Sequence, residues 1–183
     1  MPHRFPGSEK ARLRDERRRA VQPAEELIGR MSPRPDEICA DLGSGTGYIA
    51  EPLSRMTSCV IALDVQRSML ERMLDLTEGV GNIQPVIADV ACLQLADSSI
   101  DRIVIVNVLH EIENAERTIE RIAMALKPGG RISVIDFPLH PTAFGPPLEE
   151  RIAPDDAVGM FPGFRVLGRW ELTEYYQIEM EKA

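Results

Sequence analysis

The stretch Cys-Ala-Asp-Leu-Gly-Ser-Gly-Thr-Gly at positions 39–47 holds the residues whose types and spacing most directly imply chemistry. Asp41, Gly43, Gly45 and Gly47 close an apolar run and open a helical stretch, with Ser44 inside the turn. Alternate glycines let a backbone pass close to a bound small molecule, where a Cβ would collide. Dinucleotide loops of the G-x-G-x-x-G type cradle a pyrophosphate on helix N-terminal amides. Here the third glycine comes one residue early, Tyr48 fills its usual place, and Asp41 stands two residues before the first glycine. A buried carboxylate repels a pyrophosphate and attracts an ammonium or sulfonium group. The loop favours a cationic nucleoside cofactor over NAD.

Three further positions carry candidate chemistry. Asp64, followed by Val65, lies 21 residues after Gly43 at the end of a second apolar run. An acid at that point can accept both hydrogen bonds of a ribose diol. Asp89-Val90 ends a third run, where an acid can cap the next short helix. Asn107-Val108-Leu109-His110-Glu111 ends a fourth. With an unperturbed pKa of ~6.5, His110 can serve as a general base. The competing reading has His110 and Glu111 start a helix and bond a loop.

The elements that must position these residues alternate between short β-like runs and longer helical stretches, the pattern of a parallel sheet covered on both faces. Strands are expected at Ile38 to Leu42, Cys59 to Leu63, Ile83 to Ala88, Asp101 to Asn107 and Arg131 to Phe137. Helices are expected from Gln22 to Met31, Gly47 to about Met56, Gln66 to about Thr77, and over 114–126, each with apolar residues at helical spacing. Lys127-Pro128-Gly129-Gly130 stops the last of these. Pro138 to Pro147 is a loop, and a short helix follows from Ile152 to Met160. Phe164 to Leu172 and Tyr175 to Glu181 form an antiparallel hairpin at the sheet edge. His140, Phe144 and Phe161 are candidate walls for an acceptor pocket.

These motifs, in this order at strand ends, resemble the class I S-adenosylmethionine-dependent methyltransferases, in the small branch similar to ubiquinone/menaquinone-biosynthesis enzymes. The resemblance covers about residues 20 to 182. It implies a Rossmann-like, doubly wound α/β sheet of seven strands in order 3-2-1-4-5-7-6, with the last strand antiparallel. It implies S-adenosyl-L-methionine as cofactor, held by Asp41, Gly43, Ser44, Gly45, Gly47, Asp64, Val65, Asp89, Val90 and Asn107, with the acid at 89 against the adenine. The implied activity is in-line methyl transfer to a small-molecule or lipid-like acceptor. A cofactor-binding regulatory or partner subunit is the alternative. Asn107-Val108-Leu109-His110 is not the Asn/Asp-Pro-Pro-aromatic motif of the branches that methylate base amines.

Composition sets the remaining bounds. A chain of 183 residues with 44% hydrophobic and 27% charged content fits one globular domain. Positions 37–183 are expected to form it, with 1–36 as a basic arm and helix that belong to it or close over it. Lys10, Arg12, Arg14, Arg17, Arg18 and Arg19 crowd that arm, as a solvated face, a lid, or a clamp for an anionic acceptor. The net charge of −8 argues against non-specific nucleic-acid binding. No apolar run approaches the ~20 residues that cross a bilayer. Cys39, Cys59 and Cys92 lack metal-ligand spacing, so no metal is expected and a reducing cytoplasm is. A homodimer is left open.

Overall fold

Runs such as Ile38–Leu42 and Ile100–Val106 have almost no exposed position, so both faces of each strand must be covered. The computed structural model describes residues 16–183 and meets that demand with one seven-stranded sheet. The strands are β1 (Ile38–Leu42), β2 (Cys59–Asp64), β3 (Ile83–Ile87), β4 (Ile100–Val106), β5 (Leu126–Asp136), β6 (Phe164–Glu171) and β7 (Tyr176–Lys182). Their order is β3-β2-β1-β4-β5-β7-β6, with β7 antiparallel to both of its neighbours. This is the doubly wound topology that the family resemblance implies.

The helices are α1 (Glu16–Val21), α2 (Ala24–Met31), α3 (Ala50–Ser54), α4 (Arg67–Leu76), α5 (Ala115–Ala125) and α6 (Pro154–Gly159). On one side of the sheet, α2 buries Ala24, Leu27, Ile28 and Met31 among Cys39, Val60, Val104 and Ile135. On the other, α5 buries Ile119, Ile122 and Ala125 against Ile103, Ile105, Ile132 and Val134. Each such large apolar side chain stabilises the fold by roughly 1.5–3 kcal/mol. Cys39 is fully buried, and burial pushes its thiol up to about 12, so it is an inert core residue.

The end of the sheet opposite the glycine turn is locked by a buried pair. Arg102 donates from Nε and Nη2 to the two carboxylate oxygens of Glu37, at 3.0 and 3.1 Å. Both edges of the sheet are guarded. Val60 N donates to Asn82 O and Ala88 N to Asp64 O, so in this parallel ladder the alternate residues 83, 85 and 87 turn their backbone outward. Pro85 occupies the middle of that outward set and has no N–H to offer. At the other edge, β6 carries a register shift between Val166 and Gly168, with Arg165 and Arg169 along the strand.

Two expectations shift, and a third falls partly outside the described residues. The helix expected from Gly47 shortens to Ala50–Ser54, because Gly47 has a φ of 78° and cannot begin it. Lys127-Pro128-Gly129-Gly130 does not separate α5 from β5. The strand begins at Leu126, where Ile100 pairs with it, and Gly129 at φ 71° takes up the irregularity before Arg131. Lys10, Arg12 and Arg14 lie outside the described residues, while α1 forms from the last part of the basic run.

Candidate functional site

Parallel strands end on one side of the sheet, and there a cavity of about 800 Å³ opens between the loops after β1, β2, β3, β4 and β5. Every expected site residue except Gly47 lines it: Asp41, Gly43, Ser44, Gly45, Asp64, Val65, Asp89, Val90, Asn107 and His110. Gly47 sits behind the turn, its N–H donating to Ser44 O at 2.9 Å.

The turn is held by its own backbone. Gly43 N and Ser44 N both donate to Leu63 O at 2.8 Å, which docks the loop on the end of β2. Gly43 and Gly45 have φ values of 76° and 54°, a region that favours glycine. A Cβ on Gly43 would also lie 2.4 Å from Val108 Cγ2. Asp64 completes the turn: Oδ2 accepts Gly45 N at 2.9 Å and Oδ1 accepts Gln66 N at 2.8 Å. Its carboxylate is thereby aimed along the cavity wall with lone pairs to spare. Burial raises the Asp64 carboxyl, and those two amides oppose the rise.

Asp41 is the most perturbed acid of the site. It is 2% exposed, and its Oδ2 has no hydrogen-bond partner among the described residues. Burial pushes its carboxyl up to about 7; the Arg18 charge pulls it down and Asp64 pushes it further up. Ser44 Oγ and Thr46 Oγ1 in the same turn are likewise buried without partners among the described residues. A glycine cradle, a buried carboxylate with one oxygen unsatisfied among the described residues and two waiting hydroxyls fit a cationic, polyhydroxylated ligand such as an adenosyl sulfonium. A pyrophosphate would set its charge against Asp41.

The opening is narrowed from above by the N-terminal helices. Gln22 and Asn107 exchange side-chain amide bonds, each 3.0 Å long, and Asn107 holds a left-handed φ of 57° to do so. Tyr48 donates its hydroxyl to Gln22 O at 2.7 Å, and the Arg18 guanidinium lies 4.4 Å over the Tyr48 ring. Asp89 accepts Ala91 N at 2.9 Å and caps a 3-10 turn at Val90–Cys92, so the capping reading of this acid holds.

His110 lies in a second 3-10 turn, Leu109–Glu111, and does not begin α5. Its Nδ1 lies 2.7 Å from Asp136 Oδ1. Asp136 is 1% exposed at the end of β5; it also accepts Phe137 N at 2.8 Å and His110 N at 3.2 Å. A carboxylate there accepts, so in the neutral imidazole Nδ1 carries the proton and Nε2 keeps its lone pair. Burial pulls the imidazole down, but the Asp136 hydrogen bond and charge, with Glu111 and Glu150, outweigh it and raise its pKa. Asp136 has no counterpart among the sequence-derived candidates. The signal was available, since it is a further acid at a strand end.

The acceptor side differs from expectation. Phe144 lines the cavity beside Phe137, which stacks edge-on to both Phe144 and His110. Arg151 ties the 138–147 loop down by donating to the carbonyls of Pro138, His140 and Pro146. His140 instead bonds Thr173 O at 2.8 Å, and Phe161 is buried in the core against Phe164. Proline-rich loops fix aromatic side chains without showing which way they face, and neither residue belongs to the cavity wall.

Known proteins place this geometry in context. Residues 40–134 match the model of a family described as "Methyltransferase domain". Over 130 residues the chain is 31% identical to the ubiquinone/menaquinone biosynthesis C-methyltransferase UbiE of Acidiphilium cryptum, which covers 69% of this chain and 52% of that protein. The chain thus spans about half the length of the curated relatives it matches. Among solved structures, an SAM-dependent methyltransferase from Aquifex aeolicus superposes with a TM-score of 0.90 at 22% identity, over 98% of this chain and 100% of that one. One from Sulfolobus solfataricus, titled a putative type 11 methyltransferase, reaches 0.74 at 24% identity, over 89% and 94%.

Proposed function

The chain belongs to the methyltransferase domain family, and from that premise we propose that it transfers a methyl group from S-adenosylmethionine to a small, largely apolar acceptor. The observation that carries this reading is the buried carboxylate of Asp41, whose Oδ2 has no hydrogen-bond partner among the described residues, beside a glycine turn that admits a ligand at backbone distance. Asp41 supplies the negative charge for the cationic part of the cofactor. Gly43, Ser44 and Gly45 line its path, with Gly47 shaping the turn from behind. Asp64 accepts from the ribose hydroxyls; Asp89, Val90 and Val65 flank the base, and Asn107 closes the floor. When bound, the cofactor supplies an electrophilic methyl on a sulfonium, open to in-line displacement.

The chain's own residues then have two tasks. One is alignment, which the Phe137 and Phe144 rings provide by enclosing an apolar acceptor next to the site. The other is proton removal. His110 lines the cavity with Nδ1 held by Asp136, so in its neutral form Nε2 can take a proton from a hydroxyl or an activated C–H as the methyl arrives. The names of the curated relatives, C-methyltransferases of quinone biosynthesis, support an acceptor of that kind. Residues 16–36, with α1 and α2, precede β1, and α2 packs on the sheet.

A binding panel tests the assignment. S-adenosylmethionine and S-adenosylhomocysteine should raise the melting temperature through mass action, and NAD should not. Stabilisation by NAD alone would defeat the reading. A methyl-transfer screen over phenolic and quinol acceptors would then identify the substrate.

A further inference from the structure

The end of the sheet away from the glycine turn carries a second cavity, of about 360 Å³, where the starts of β1, β4 and β5 meet. Arg34, Arg102, Lys127 and Arg131 line it, a gathering of cations on a chain of net charge −8. Three acids share the wall, and each is already held by a cation. Glu37 accepts Nε and Nη2 of Arg102 and stands 3.4 Å from Arg34 Nε. Asp101 accepts Lys127 Nζ on both oxygens, at 2.7 and 2.8 Å. Glu181 is shared by Arg131 at 3.2 Å and Arg165 at 2.7 Å. Burial pushes the Asp101 carboxyl up, but Lys127, the Ile38 amide and the Arg34 charge outweigh it and hold it below the ordinary carboxylate range. The acids are satisfied, and positive charge is left over.

Arg102 holds the group that lacks a partner. It is 2% exposed, and its Nη2 reaches Ser32 O at 3.4 Å as well as Glu37. Nη1 lies on the other side of the planar fork and has no hydrogen-bond partner among the described residues. A buried charged donor without an acceptor is costly and calls for an explanation. Beside it, residues 127–130 stand opposite Asp101 alone in the β4–β5 register, so this wall is an open bulge. We propose that the cavity binds a small oxyanion of the phosphate type, with Arg102 Nη1 donating to it and Arg34, Lys127 and Arg131 closing around it. The cations come from three separate segments, the approach to β1, β4 and β5. That arrangement suits a tetrahedral anion with acceptors on every side, whereas one arginine fork satisfies a planar carboxylate. The volume leaves room for a small organic body, so a phosphomonoester is the expected form. The site lies at the opposite strand ends from Asp41 and His110 and stands independently of methyl transfer.

Calorimetry on the full chain tests this with inorganic phosphate, glycerol 3-phosphate and acetate, sodium chloride keeping the ionic strength fixed. Both phosphates should bind, the ester more tightly, and acetate should not. An ester weaker than the free ion would keep the site and make the free ion its ligand. Arg102→Gln should weaken both phosphates about 10–100-fold, the size of a lost charge-assisted hydrogen bond. Arg102 also holds Glu37, so melting curves accompany that variant. Lys127→Gln, at a half-exposed position, should weaken them about 2–5-fold and keeps the test decisive if Arg102→Gln does not fold. Arg55→Gln, at an exposed cation paired with Glu51 in α3, should change nothing. Saturating S-adenosylhomocysteine should leave the phosphate affinity as it was. Displacement by that ligand would move the anion to the cofactor cavity and overturn the proposal. So would acetate binding as tightly as phosphate, no heat beyond that of chloride, or wild-type affinity in the folded Arg102 and Lys127 variants.

Discussion

At the scale of single residues, the site is governed by three acids with different surroundings. Asp41 is raised to about 7 by burial, above the ~3.9 of an unfolded chain. Folding therefore binds a proton there: the stability it contributes is full below ~3.9 and is lost as pH rises through about 7. Asp41→Asn should accordingly raise the melting temperature at pH 8 more than at pH 5, while weakening the cofactor about tenfold or more. Thermal melts at the two pH values and calorimetry check both halves. Asp64→Ala removes a carboxylate that anchors Gly45 N and offers two acceptors to a ribose. At ~0.5–1.5 kcal/mol per hydrogen bond, the loss in cofactor affinity should be about tenfold. Asp136 works through His110. The raised imidazole must be neutral to accept a proton, so turnover should climb with pH through the His110 pKa and level off above it. Asp136→Asn should move that midpoint downward and lower the plateau by about 10²–10⁴, the usual weight of a general base. The acids at 41, 64 and 89 are legible because each ends an apolar run. Asp136 ends one too, but its meaning depends on His110, 26 residues away in sequence and 2.7 Å away in space.

At the scale of elements, the loop after β1 and the loop after β4 are made for each other. Gly43 is pinned by a positive φ and by Val108, so two separate constraints exclude a side chain. Gly43→Ala should destabilise the protein by roughly 1–3 kcal/mol, the range for strained or overpacked positions. Adding Val108→Ala should recover only the packing share, which a comparison of single and double variants by chemical denaturation measures. The strands and the longer helices were legible from apolar period alone, because α2, α4 and α5 must each bury one face. The 3-10 turn at Leu109–Glu111 was not, whereas the one at Val90–Cys92 was signalled by its cap, Asp89. The Leu109–Glu111 turn is fixed by a tertiary bond, His110 N donating to Asp136, and three residues carry no period. The same limit applies to β5. Its early start at Leu126 is decided by pairing with Ile100, while the local sequence Lys-Pro-Gly-Gly reads as a break.

At the scale of the whole molecule, the sheet has two open edges and protects each by a different device. Pro85 withholds a donor from the outer side of β3, so Pro85→Thr restores a regular edge flanked by the exposed Val86 and Ile87. That variant should self-associate more strongly, as light scattering after size exclusion would show; an unchanged mass at high concentration would mean that Pro85 has no such role. The interior position of β7 bears on how the protein is made. Tyr176 to Met180 are all buried between β5 and β6, and β7 follows both of those strands in the chain. A nascent chain emerging from the ribosome therefore exposes the inner edge of β5 until its last sheet strand has been synthesised. Every loop of the cofactor cavity precedes β7 in the chain. A stalled or truncated chain would present a nearly complete cavity on a sheet still missing an interior strand, a form able to meet its ligand before it can resist aggregation. For such a chain, the cofactor would act first as a folding aid and only afterwards as a reagent.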